Sequence, residues 1–282
     1  VRQLADTAPP APWQEPDGLT AEVAQTWLLD PVYDRLQQGP DDFLAELRPA
    51  VALFIKFSGI DYDDDDEAGC KLDAFVRRVQ TILARYEGFL LQITMGDKGS
   101  YLYISFGAPV AHEDDAVRGV AAGLALQQLS EAFSFLEPLQ IGLSLGLTHS
   151  SAYGSPHRRT YAVMGTHVNI SARLMTQARP GQILVSRPIV EALDERYKLQ
   201  ALPPVALKGI DGPFPLWALQ GRAGAGAAAP VRRQAPLVGR ETEQETLAAA
   251  LAEVSHGRSR VLLLEGAAGF GKSRLVQALL QK

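Results

Sequence analysis

The stretch Gly165–Ser186, GTHVNISARLMTQARPGQILVS, constrains the fold more than any other part of the chain. Thr166 predicts an N-cap, with a helix from near His167 to about Gln177. Asn169, Arg173 and Gln177 recur every four residues and share one face, while Val168, Ala172 and Met175 fall on the other. Arg179-Pro180-Gly181 stops the helix, and Gln182–Ser186 reads as a short buried strand. A helix seated against a sheet, with Asn and Arg held outward, suits a charged, oxygen-rich ligand.

The remaining elements can be read around this unit. A Pro-rich start, with Pro9, Pro10, Pro12 and Pro16, predicts a linker; helices follow from Thr20 to about Gln38 and from Asp41 to Leu47. Ala50–Phe57 is an apolar strand interrupted only by Lys56. The acidic run Asp61–Glu67 after it reads as a solvated loop. Leu72, Phe75, Val76, Val79, Ile82 and Leu83 give Cys70–Tyr86 a helical period. Strands Phe89–Thr94 and Tyr101–Phe106 form a hairpin through a Gly-containing turn, and Glu113 to about Phe133 is a second long helix. Strands Leu139–Leu147 and Arg159–Met164 lead into the Asn–Arg helix. A helix from Pro188 to Glu195 and short strands near Val205–Leu207 and Leu216–Leu219 complete the unit. This alternation predicts a ferredoxin-like α+β sheet with helices on one face.

The order GxxVNxxxRLxxxxxPGxIxVS resembles the class III nucleotide cyclases, the adenylate and guanylate cyclase catalytic domains. That resemblance spans roughly residues 45 to 220 and implies the same α+β fold. It implies that Asn169 positions the ribose of a nucleoside triphosphate and that Arg173 stabilises charge developing on the α-phosphate. In this family two homologous halves meet about a two-fold or pseudo-two-fold axis. Two aspartates of one half hold two Mg²⁺ (or Mn²⁺) ions. Here Lys56 and Ser100 occupy the usual aspartate positions, so the resemblance implies a half that binds no metal. Asp97 lies three residues before Ser100 and substitutes only in a shifted register. Lys98 matches a lysine that contacts adenine in second halves of tandem soluble adenylate cyclases, but the usual second contact to the base falls on Ala162. Lys208, in Leu207-Lys208-Gly209, resembles a lysine that reaches the terminal phosphates; the residues alone fit an ordinary solvated lysine equally well. Leu44–Val51 is similar to the segment through which such tandem enzymes enter their second half. The implied partner is therefore an upstream half of the same chain, or a homologous protomer, with ATP as substrate. The other reading open from the sequence is a non-catalytic cyclase-homology module that regulates an attached ATPase.

The second chemical motif lies near the end. After the low-complexity linker Gly221–Ala235, Leu237-Val238-Gly239-Arg240-Glu241 opens a segment resembling AAA-related signalling (STAND) ATPases. A helix Thr242–Val254 and a strand Val261–Glu265 are expected to precede GAAGFGKS. This matches G-x-x-x-x-G-K-[ST] between a strand and a helix, as a P-loop requires. Gly266, Gly269 and Gly271 would let backbone N–H groups cradle phosphates, with Lys272 on the β/γ-phosphates and Ser273 on Mg²⁺. The expected divisions are 1–48 linker, 49–220 cyclase homology domain, 221–236 flexible linker and 237–282 the start of a P-loop domain. The chain reads as a piece of a larger protein, and 237–282 as too short to hydrolyse ATP.

Composition excludes several classes. The net charge of −5, without a basic cluster, argues against a nucleic-acid partner. No apolar run reaches membrane-span length. Cys70 is the single cysteine, so a reducing, cytoplasmic setting is expected. His112, His149, His157 and His167 lack the spacing of a metal site and read as structural.

Overall fold

The structure is a computed structural model that describes residues 20–38, 45–95, 99–155, 158–223, 240–255, 259, 261–265 and 275. The chain divides into two compact units, Val1–Ala229 and Pro230–Lys282.

The first unit is built on an eight-stranded sheet. Its strands are β1 (Glu46–Phe57), β2 (Phe89–Thr94), β3 (Ser100–Phe106), β4 (Gln140–Ser155), β5 (Arg158–Met164), β6 (Ile183–Ser186), β7 (Tyr197–Ala206) and β8 (Pro213–Arg222). They run in the order β2-β3-β1-β4-β6-β8-β7, and β5 pairs with the far end of β4. Among the described strands, only the β4–β6 pairing is parallel. With the helices α3 (Ala68–Tyr86) and α4 (Asp115–Gln127), the first four strands form the βαββαβ ferredoxin-like core.

Alternation along β1 separates two cores. Val51, Leu53, Ile55 and Phe57 face a cluster with Phe75, Val79, Ile82 and Leu83 of α3 and Val120, Ala122 and Leu126 of α4. Ala50, Ala52 and Phe54 face the other way, towards Met175 of α6 (Thr166–Gln177). The sequence reading put the helices on one face; α6 instead covers the opposite one. Small residues make this possible. On β4, Gly142, Ser144 and Gly146 alternate with the core residues Leu143 and Leu145, which leaves a shallow track for a helix.

Several element boundaries also differ from expectation. The helix expected over Thr20–Gln38 is two helices, α1 (Ala21–Gln25) and α2 (Asp30–Gln38), because Pro31 has no N–H for a helix arriving from upstream and its ring would clash with the carbonyl four residues earlier, whereas it fits the first turn of a new helix. A helix was expected over Asp41–Leu47, but Glu46 and Leu47 belong to β1; residues 41–44 lie outside the described residues. Glu46 accepts an ion pair from Arg35 of α2 at 3.2 Å and another from Arg48, whose guanidinium also donates to the Pro109 carbonyl at 3.0 Å. These contacts hold the start of β1 extended and fasten α2 to it. The long helix expected over Glu113–Phe133 breaks at Gln128 into α4 and α5 (Leu129–Ala132). After β6 the chain forms α7 (Arg187–Ala192), whose Ile189 joins the larger core. Thr166 is the first residue of α6 rather than its cap; Gly165 takes the cap position without a side-chain bond.

In the second unit, Arg240, just before α8 (Glu241–Ser255), pairs with Glu243 in its first turn at 2.8 Å. Residues 261–265 form no strand, since no described strand pairs with them. Among the described residues, no helix is long and apolar enough to cross a membrane.

Candidate active site

Helix α6 carries the candidate site, and its position follows from where it is buried. Val168, Ala172 and Met175 pack on the Ala50–Ala52–Phe54 side of the sheet. Ile170, Leu174 and Ala178 pack on Leu184 of β6 and on Leu216 and Ala218 of β8. The two contacts take up most of the helix circumference and leave Asn169 and Gln177 exposed and Arg173 half-buried. Approach to β4 is close. A Cβ on Gly142 would lie 2.3 Å from both the Met175 nitrogen and the Ser171 carbonyl oxygen. One turn earlier the His167 ring lies flush on Gly146, with Nδ1 3.1 Å from the Ser144 hydroxyl. Burial lowers the His167 pKa from its ordinary value, which favours the neutral ring.

Arg173 points towards the turn between β7 and β8. Its guanidinium lies 3.6 Å from the position a Cβ on Gly209 would take. The turn is closed by the Ile210 amide donating to the Leu207 carbonyl at 3.1 Å, and Gly209 takes φ +71°, which favours glycine. Lys208 is exposed on this turn. The structure therefore brings Arg173 and the Lys208–Gly209 turn together, with Asn169 one helical turn away on the same face. Gly209 was not singled out from the sequence; the signal was its place directly after a candidate lysine.

Lys56 lies at the end of β1, two residues beyond Phe54, and so projects from the face that α6 covers. It is half-buried, and its Cε passes 3.2 Å from the Cβ position of Gly99. Phe54 beside it stacks on Tyr103, with ring centroids 4.6 Å apart and planes 7° from parallel. The Tyr103 hydroxyl donates to the Val163 carbonyl at 3.0 Å, and burial raises its pKa far above the usual phenol range. Ser100 is buried opposite Phe57, its hydroxyl 3.5 Å from that of Tyr62. Ala162 lies on β5 opposite Ser151 and projects from the face of β5 away from Tyr161 and Val163. Asp61 is occupied locally, accepting the amides of Asp63 and Asp64 at 3.1 Å each. Asp97, Lys98 and the P-loop residues Gly266, Gly269, Gly271, Lys272 and Ser273 lie outside the described residues.

Residues 71–221 match the family described as the adenylate and guanylate cyclase catalytic domain, more than half of the chain. The chain belongs to that family. Residues 236–282 match the AAA ATPase domain. The chain is 25% identical over 246 residues to adenylate cyclase type 10 of Homo sapiens, covering 84% of this chain and 15% of that protein. The corresponding protein of Oryctolagus cuniculus is 26% identical over 266 residues, 89% of this chain and 16% of that one. The cyclase-family chain thus spans less than a fifth of these relatives' length. Among solved structures, the guanylyl cyclase Cya2 superposes with a TM-score of 0.57 at 25% identity, covering 66% of this chain and 98% of that one. The adenylyl cyclase CyaB from P. aeruginosa gives 0.57 at 19% identity, covering 62% and 95%, and bears on the fold alone.

Proposed function

We propose that this cyclase domain is the complementary half of a composite site that converts ATP to cyclic AMP and pyrophosphate, in a multidomain signalling protein. The observation that carries the reading is the close approach of Arg173 to the Lys208–Gly209 turn, with Asn169 one turn away on the same face. As the ribose 3′-oxygen bonds to the α-phosphorus and the bond to pyrophosphate breaks, charge collects on the phosphoryl oxygens. A guanidinium already seated against a turn offsets that charge without reorganising. Asn169 orients the ribose, and Lys208 and Lys98 meet the phosphates and the base.

The divalent cation that the family's chemistry implies does not fit this half. Lys56 brings an ammonium to the strand end, Ser100 offers only a neutral hydroxyl, and no described trio of Asp, Glu, His or Cys could hold a metal ion. Mg²⁺ or Mn²⁺ belongs to a partner half that carries both aspartates. An exposed apolar row offers a surface for such a partner: Leu47, Leu147 and Met164 lie on adjoining strands β1, β4 and β5, on the sheet face opposite α6. The 237–282 segment would contribute a P-loop ATPase module.

The test is cyclic AMP formation by this chain, by a first half with both aspartates, and by the two mixed. Activity is expected only in the mixture, and Arg173→Ala should lower kcat by about 10²-fold with little change in KM. Robust activity from this chain alone would refute the assignment of Lys56 and Ser100. Association without activity would favour the second reading, a non-catalytic module regulating the attached ATPase. Lys56, Ser100 and Ala162 are the residues that favour it.

A further inference from the structure

Ser171 stands midway between Asn169 and Arg173 in sequence. At about 100° per residue it lies about 180° around the helix from their mean direction, at the centre of the buried arc. It is fully buried, and its Oγ sits 2.8 Å from the carbonyl oxygens of both Ala52 and Gly142. A hydroxyl on a helix commonly turns back to its own carbonyl four residues earlier, as Thr81 does to Arg77 and Thr176 does to Ala172. Ser171 instead reaches across to two different strands. One of them, β1, carries Lys56 one residue before its end; the other, β4, is the track on which α6 lies.

The apolar contacts of α6 resist its lifting from the sheet but resist sliding much less, because dispersion contacts are non-directional. A hydrogen bond to a fixed strand carbonyl is directional and opposes both sliding and rotation. The strand supplies a matched track: Gly142, Ser144 and Gly146 span about 13 Å at ~3.3 Å per residue. His167, Ser171 and Met175 span about 12 Å at ~1.5 Å per residue, so helix and strand stay in step along the contact.

We infer that Ser171 is a positioning residue, fixing the register of α6 on β1 and β4 so that Asn169 and Arg173 meet the substrate in reactive geometry. The inference rests on the proposed roles of those two residues. A misplacement of about 1 Å can lower the rate of an oriented reaction by about 10²-fold.

The test measures kcat and KM for Ser171→Ala in this chain combined with a half carrying both aspartates, in wild-type and Arg173→Ala backgrounds. Amide exchange of α6 is followed in parallel. The expected result is a roughly tenfold fall in kcat, with KM within about twofold. In the Arg173→Ala background the same change should lower kcat by clearly less than in the wild type, because one of the two groups being positioned is gone. Unchanged kcat, or an equal fall in both backgrounds, overturns the inference; the latter means general destabilisation. If the wild-type mixture makes no cyclic nucleotide, the catalytic reading fails and exchange decides the role of Ser171. Faster exchange confined to residues 169–173, with α3 and α4 unchanged, supports positioning, and unchanged or uniformly faster exchange overturns it.

Discussion

Gly142→Ala tests whether the backbone of α6 rests directly on that of β4. The added Cβ would fall 2.3 Å from the Met175 nitrogen and 2.3 Å from the Ser171 carbonyl oxygen. Ordinary contacts of this kind begin near 3.4 Å, so about 1 Å of separation must be created. Both obstructing atoms are backbone, and no rotamer change relieves the clash. Overpacking of this kind typically costs about 1–3 kcal/mol. Displacing α6 also weakens the hydrogen bond that the single Ser171 hydroxyl proton makes between the Ala52 and Gly142 carbonyls, which adds about 1 kcal/mol. A total of about 2–4 kcal/mol is a large part of a domain's usual stability of about 5–15 kcal/mol. For a domain of this size it should lower Tm by roughly 4–16 °C. Gly69→Ala is the matched control: it lies in α3 with nothing within 4 Å of its Cβ position, and should raise stability by about 0.5 kcal/mol. Differential scanning calorimetry on both variants measures the contrast. A Gly142→Ala chain melting with the wild type would refute the close seating of α6, and with it the structural basis of the site.

Other outcomes follow from the same geometry. Phe75→Ala removes a fully buried ring that meets Phe57 at 4.9 Å, so calorimetry should show a loss of about 3–5 kcal/mol. His167 is held below its ordinary value of 6.5 by burial, so the folded chain binds that proton less readily than the unfolded one. Its contribution is complete above about pH 6.5 and is lost as pH falls through the folded value; a Tm–pH profile of His167→Gln should show less acid sensitivity over this window. Glu46→Gln removes the ion-pair partner of Arg35 and Arg48, which is partly exposed, so Tm should move by no more than about 2 °C. Limited proteolysis should nevertheless cut faster within residues 21–38, because α2 loses its fastening.

The sequence made the helix and its outward pair legible because spacing by four is a local property. Asn169 and Arg173 share a face whatever lies beneath them. The face of the sheet on which that helix settles is not local. It depends on Gly142, Ser144 and Gly146 being small at alternate positions of a strand, and the alternation carries meaning once α6 lies over it. Charge and proline concealed other parts. Glu46 and Arg48 looked unlike strand residues, yet their side chains close an ion-pair cluster at the beginning of β1. Pro203 and Pro204 hid most of β7, which tolerates them because it is the sheet's edge strand and shifts register between Leu202 and Val205. The seating of Arg173 against Gly209 joins residues from elements far apart in the chain, which no spacing rule anticipates.

Lys56 is what turns a likeness to a cyclase into an argument for a half-site. A unit charge and a dication 4 Å apart repel by about 8 kcal/mol at an effective dielectric of 20. Loss of a carboxylate at that position would only weaken metal binding; an ammonium opposes it. Lys56 also lies on the same side of the sheet as α6. Two copies of this chain would therefore supply two Asn169–Arg173 pairs and two opposed metal positions. In the proposed composite, only a pairing with an unlike half would place carboxylates opposite Arg173, and then at one of the two related sites. On this reading the substitution does more than silence one position: it makes the composite enzyme asymmetric, with a single catalytic centre for each pair of halves.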